Sequence, residues 1–165
     1  MAIQKHFLIF LFRHLAERTD AVACGRWDGE THSYHFEKGS WEKGRYEQLV
    51  EGWVDHLLNS FEKKCGCYGH IVKHLSSTNG AHFSVAYQKD QKACYLIASA
   101  IALPNLIIKR GNTFLLLAAF NHVVGHCLDG HGSNSQWVPV THLLVIVDAS
   151  GFVQTSYPHR GPFSI

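Results

Sequence analysis

The stretch Thr141-His-Leu-Leu-Val-Ile-Val-Asp148, followed by Ala149-Ser-Gly151 and then Phe152-Val-Gln-Thr-Ser-Tyr-Pro158, reads as strand, turn, strand. Branched and aromatic residues favour extended chain, and glycine supplies the turn. We place a final hairpin over 138–157. A second hairpin is predicted just upstream. Leu106-Ile-Ile-Lys109 and Thr113-Phe-Leu-Leu-Leu-Ala-Ala-Phe120 flank Arg110-Gly-Asn112, and Gly-Asn suits the positive φ of a tight turn. Between the hairpins, residues 125–137 hold three Gly, two Ser, an Asn and an Asp, the composition of a long exposed loop.

Further upstream the texture is helical. Tyr46, Leu49, Val50, Trp53, Val54, Leu57, Leu58 and Phe61 recur at helical spacing, with Glu47, Glu51, Asp55 and Glu62 on other faces. The spacing predicts an amphipathic helix over 41–64, ended by the glycines of Cys65-Gly-Cys-Tyr-Gly69. Residues 89–103 suit helix or strand, with Ala98, Ala100 and Ala102 favouring helix, and Pro104 stops the element. Residues 81–87 alternate only in part. Residues 6–18 read as a buried helix, and 24–40 as a loop or short hairpin. The sum is an α+β fold: N-terminal helices packed on one face of a C-terminal antiparallel sheet of about four strands. The helix 41–64 should lie against strands from 105–120 and 138–157.

A chain of 165 residues fits a single domain, with residues 1–64 as its helical N-terminal part. Apolar residues make up 46%, which argues against disorder. The net charge of +2 neither demands nor forbids a nucleic-acid partner, but thirteen histidines would make the chain strongly cationic below about pH 6. Cys24, Cys65, Cys67, Cys94 and Cys127 are odd in number and form no CxxC, so a reducing, cytoplasmic setting is expected rather than a disulfide framework. The apolar run after Lys5 is short, and Arg13, His14, Glu17, Arg18 and Asp20 follow it, against a secretion signal. No stretch approaches the ~20 apolar residues of a membrane span, so no membrane partner is expected.

Two constellations bear on chemistry. Gly69-His70-Ile-Val-Lys73-His74 pairs two imidazoles with a cation. Cleavage of RNA without a metal needs a base for the 2′-hydroxyl proton, an acid for the 5′-oxygen, and donors for the charge growing on phosphate. Imidazole suits the first two tasks and Lys73 the third. Thr155 and Tyr157, two apart in a strand, share a face and could both donate to phosphate.

With Leu103-Pro-Asn-Leu-Ile107 between them, these pieces resemble the barnase–EndoU–colicin–RelE group of toxin and phage nucleases, over about residues 68–158. That is the nuclease-like part of the domain. A related bacterial toxin class with a ribonuclease A-like fold has similar ends. The resemblance implies a toxin-type endoribonuclease that needs no cofactor and cleaves RNA, single strands or tRNA loops, by 2′-hydroxyl attack. It further implies an inhibitory immunity or antitoxin protein as partner. Carried onto this sequence, the catalytic residues are His74, His70, Thr155 and Tyr157. The related class also uses an arginine downstream of the second histidine. No arginine lies between His74 and Arg110, so His82, Lys89 or Arg110 must serve in substrate binding.

A rival site is His122-Val-Val-Gly-His126-Cys127-Leu-Asp-Gly-His131. On a helix, His122 and His126 would share a metal, with His131 or Cys127 completing the set. That pattern would suit a non-catalytic binding or regulatory module. A metalloprotease is excluded because position 123 is Val rather than the general-base Glu. A two-histidine phosphoesterase would need a hydroxyl after His142, where Leu144 stands. No phosphate-cradling glycine loop is present.

Overall fold

Helix α1, Lys43–Lys63, buries Val50, Trp53, Val54, Leu57 and Phe61 while Glu51, Asp55, Asn59 and Glu62 stay in solvent. Its apolar stripe recurs at helical spacing, as the sequence predicts. The computed structural model describes residues 26–28, 33–35, 43–75, 80–102, 104–130 and 132–161. The expected helix over 6–18 lies outside them. Where the sequence reads loop or short hairpin, strands β1 (Arg26–Asp28) and β2 (Ser33–His35) pair antiparallel.

The end of α1 is set one residue earlier than the glycines suggest. Lys64 itself takes the left-handed conformation, φ +53°, and Cys65 N–H donates back to Ser60 O at 3.0 Å. That six-to-one bond satisfies one of the last orphan carbonyls. A short helix α2, Tyr68–Val72, follows and anchors through fully buried Ile71. Then come strand β3 (Ala81–Phe83), a 3₁₀ turn over Val85–Tyr87, and helix α3 (Asp90–Ala102). Tyr68 Oη donates to Asp90 Oδ2 at 2.9 Å, tying α2 to the start of α3. Helix α3 is buried almost all round, and its alanines let α1 and the sheet approach closely.

Strands β4 (Leu106–Arg110) and β5 (Thr113–Ala119) form the expected hairpin, with Gly111 at φ +60°. Two further strands depart from the expected layout, in which 125–137 is loop and the final hairpin begins at 138. They are β6 (Gly125–Asp129) and β7 (Gln136–Val140), and they pair with β3 as a three-stranded antiparallel sheet in the order β3-β6-β7. The loop expectation is corrected here: β6 alternates in burial although its buried side chains are only Gly125 and Cys127. The final hairpin is β8 (His142–Asp148) and β9 (Val153–His159), with a bulge at Ile146/Val147. It completes a four-stranded antiparallel sheet, β4-β5-β8-β9. The fold class is α+β.

One face of the four-stranded sheet meets α1 and α3 through Phe114, Leu116, Leu143, Val145 and Val147. Trp53 lies across it, with its ring 5.7 Å from Phe114 and its Nε1–H donating to Asp148 O at 2.8 Å. The three-stranded sheet abuts edge strand β9. At that junction a Cβ on Gly125 would stand 2.3 Å from Pro158 Cγ and 2.5 Å from His82 O, so only hydrogen fits. Among the described residues no helix is long and apolar enough to cross a membrane.

Candidate functional site

After α2 the chain turns through Lys73 and His74 and runs beside β3. Both the backbone and the side chain of His74 bond the free edge of that strand. Phe83 N–H donates to His74 O at 2.8 Å, and His74 Nδ1 lies 3.0 Å from Ala81 O. A carbonyl only accepts, so Nδ1 carries the proton of the neutral ring and Nε2 carries the lone pair. The ring stands 5.3 Å from that of Tyr157, tilted by 37°. His74 and Tyr157 therefore meet.

Tyr157 projects from β9, packed against Ala81, Cys127 and Val140. Alternation along the strand puts Thr155, Tyr157 and His159 on one face and Ser156 and Pro158 on the other. Thr155 thus accompanies Tyr157, about 7 Å along the same face. Burial, and then the neighbouring Cys127, pushes the Tyr157 phenol above its ordinary range. It stays protonated at neutral pH and can donate. Burial likewise raises the Cys127 thiol, against a smaller lowering by Arg160, and the thiol donates to Pro158 O at 3.3 Å. That cysteine is a packed hydrogen-bond donor, not an activated nucleophile.

The other expected residues separate. His70 is exposed on α2, and among the described residues its side chain has no hydrogen bond or ring contact. Lys73 is exposed beside His74. His82 points to the opposite face of β3 from Ala81. There its ring stacks on His126 at 5.1 Å and 27° and meets Trp137 at 4.6 Å and 60°. Its Nδ1 lies 3.0 Å from Phe83 O.

Arg110 is not brought to His74 and Tyr157. It ends β4, the edge opposite β9, in the row Arg110–Thr113–Asp148, whereas Tyr157 pairs with Leu144. Three strand spacings put it about 14 Å away before the offset along the strands. An arginine that the sequence reading missed lies much nearer. Arg160, just past β9, bonds Asp129 Oδ1 at 2.9 Å, and its charge is felt by Cys127. Both partners are about half exposed, 55% and 50%, so the pair adds little stability and leaves the guanidinium within reach of solvent.

The rival metal set rests on helical spacing, and the backbone there is not helical. His122 precedes β6 and faces Tyr87, whose Oη lies 2.5 Å from His122 Nε2, while His122 Nδ1 reaches Asn121 Oδ1 at 3.1 Å. His126 sits within β6 against His82, and Cys127 points to the other face. Adjacent in the strand, His126 and Cys127 face opposite ways, and His122 lies outside the strand against Tyr87, so the three do not converge. His131 lies outside the described residues. Among the described residues, no group of three or more His, Cys, Asp or Glu side chains could hold a metal ion. His126 Nδ1 is buried without a hydrogen-bond partner among those residues.

No protein-family model matches the chain, and neither a curated protein nor a solved structure matches it.

Proposed function

We propose that this protein is a metal-independent endoribonuclease of toxin type, with His74 and Tyr157 at its centre. The observation that carries the reading is the locked His74 ring: Nδ1 held by Ala81 O, Nε2 bearing the lone pair, and the Tyr157 ring 5.3 Å away. In the proposed reaction His74 Nε2 takes the proton of a ribose 2′-hydroxyl. The 2′-oxygen bonds to phosphorus, the bond to the 5′-oxygen breaks, and a 2′,3′-cyclic phosphate remains. Tyr157, kept protonated by burial, gives the leaving 5′-oxygen its proton. Thr155 donates to the phosphate from the same strand face, and Lys73 and Arg160 add positive charge nearby. His70 is left in an outer position. The reading extends to a cytoplasmic enzyme held in check by an immunity or antitoxin protein, with RNA, tRNA loops included, as substrate.

The test is cleavage of a mixed-sequence RNA by the purified protein, in buffer with and without EDTA. Cleavage in both, yielding 2′,3′-cyclic phosphate ends, is expected. A substrate with 2′-deoxy sugars throughout should survive. Cutting of that substrate, or activity lost in EDTA and restored by zinc, overturns the proposal. A protein that binds RNA without cutting it would instead be a non-catalytic module.

A further inference from the structure

From the outward face of the three-stranded sheet we infer that this protein carries a stacking surface for the unpaired bases of a single-stranded nucleic acid, centred on Trp137, His82 and His126. The inference deepens the ribonuclease reading by naming where its substrate would rest. Three rings from three different strands form one run: Trp137 to His82 at 4.6 Å, and His82 to His126 at 5.1 Å with planes 27° apart. The register places them together, His126 opposite His82 on one side and opposite Pro139 on the other, with Leu128 opposite Trp137. Trp137 remains 40% exposed and Leu128 37% exposed.

The occupant follows from the chemistry of this face. Its strand positions are His82, His126, Leu128, Trp137 and Pro139, with no carboxylate among them; Asp129 points to the other face, where it pairs with Arg160. Flat rings attract flat bases, and every base offers a π-face to a stacking platform. Position supports the same ligand. Strand β3 is an edge of its sheet, and His74 is bonded to that edge. Ala81 and His82 are adjacent and face opposite ways. A polynucleotide leaving His74 therefore needs only to round the β3 edge to lay its next bases on His82 and Trp137.

The experiment is fluorescence anisotropy of the full chain with a dye-labelled 2′-deoxy oligonucleotide of about ten nucleotides, a probe that resists 2′-hydroxyl chemistry. Its abasic counterpart, with the same phosphates, is run beside it. Trp137→Ala should weaken binding of the base-bearing probe by about 10–100-fold, and Trp137→Phe by far less. Binding of the abasic probe should be weak and indifferent to Trp137→Ala. Circular dichroism should show both variants folded, since the side chain is exposed. Equal affinity of wild type and Trp137→Ala for the base-bearing probe overturns the inference. So does an equal loss on the abasic probe, or a Trp137→Ala effect confined to self-association. Because the probe is not cut, the two proposals fail separately. Trp137-dependent binding without RNA cleavage sinks the enzyme alone, and cleavage with Trp137-independent binding sinks the stacking surface alone.

Discussion

His74 and Tyr157 hold their rings 5.3 Å apart, tilted by 37°, although one rides on the edge of the three-stranded sheet and the other on the edge of the four-stranded sheet. Their partnership exists only because the two sheets dock. If it is the reactive pair, each member should matter to rate more than to folding.

His74→Ala should lower RNA cleavage by about 10²–10⁴-fold, the usual worth of a positioned acid or base. Tyr157→Phe keeps the ring and removes the proton that goes to the leaving 5′-oxygen, so a loss of the same order, about 10²–10⁴-fold, is expected. Two groups acting in one place are not additive. The double variant should lose less than the product of the single losses. Wild-type cleavage by a folded His74→Ala protein would remove His74 from the mechanism.

Docking of the sheets should fail first at Gly125. An added methyl there meets Pro158 and the His82 carbonyl at distances no Cβ contact shows, and the second of these is backbone. Gly125→Ala should destabilise the protein by about 1–3 kcal/mol or more, read from urea unfolding. Cleavage should fall further than the remaining folded fraction explains, because the clash lies between the sheets that carry His74 and Tyr157. Unchanged stability and activity would mean that the junction is slack.

The opposite sign is expected at Lys64. Its left-handed conformation costs an L residue about 1–2 kcal/mol that glycine does not pay. Lys64→Gly should therefore raise the melting temperature by several degrees and leave cleavage as it was. A fall in melting temperature would show that the lysine side chain contributes more than its backbone costs.

Stability should also fall with pH, through His56. Val153 N–H donates to His56 Nδ1 at 3.0 Å, so the neutral ring is the one the fold accepts. Burial lowers its pKa below the ordinary 6.5, outweighing the raising effect of Asp148. His159 is lowered too, by burial ahead of a smaller contribution from His142 and against its bond to Gly161 O. With folded pKa values below the unfolded one, the unfolded chain binds more protons in between. The stabilisation is complete above about pH 6.5 and is lost as pH drops through that value toward the folded pKa. Urea midpoints should decline from pH 7.5 to pH 5. His56→Gln should flatten part of the decline, and an unaltered slope would exclude His56 as its source.

The sequence is most legible where local pattern and burial agree. Helix α1 follows its apolar stripe, and the β4–β5 and β8–β9 hairpins follow branched runs broken at Gly111 and Gly151. The β6–β7 hairpin was illegible for a physical reason. Gly125 and Cys127 are its small buried residues, Pro139 sits in edge strand β7, and the rest of its apolar cover comes from β9. Whatever depends on the register of that hairpin is equally illegible: the His82–His126 pair, its neighbour Trp137, and the Asp129–Arg160 bridge. The pairing of His74 with Tyr157 came from ordering motifs along the chain, since neither periodicity nor charge connects them. Arg160 carries no signal in the sequence because it lies past Pro158, outside the stretch 68–158 that the resemblance covers.

The two bonds from His74 to β3 have a bearing on solubility as well. The free edge of a short sheet offers unpaired backbone groups to any other extended chain, and proteins that leave such edges bare tend to aggregate. Here the Phe83 amide and the Ala81 carbonyl are both occupied by one residue. The imidazole proposed to take a proton from RNA is thus also a plug against self-assembly. Selection against edge-to-edge aggregation and selection for a reactive Nε2 would favour the same side chain in the same pose.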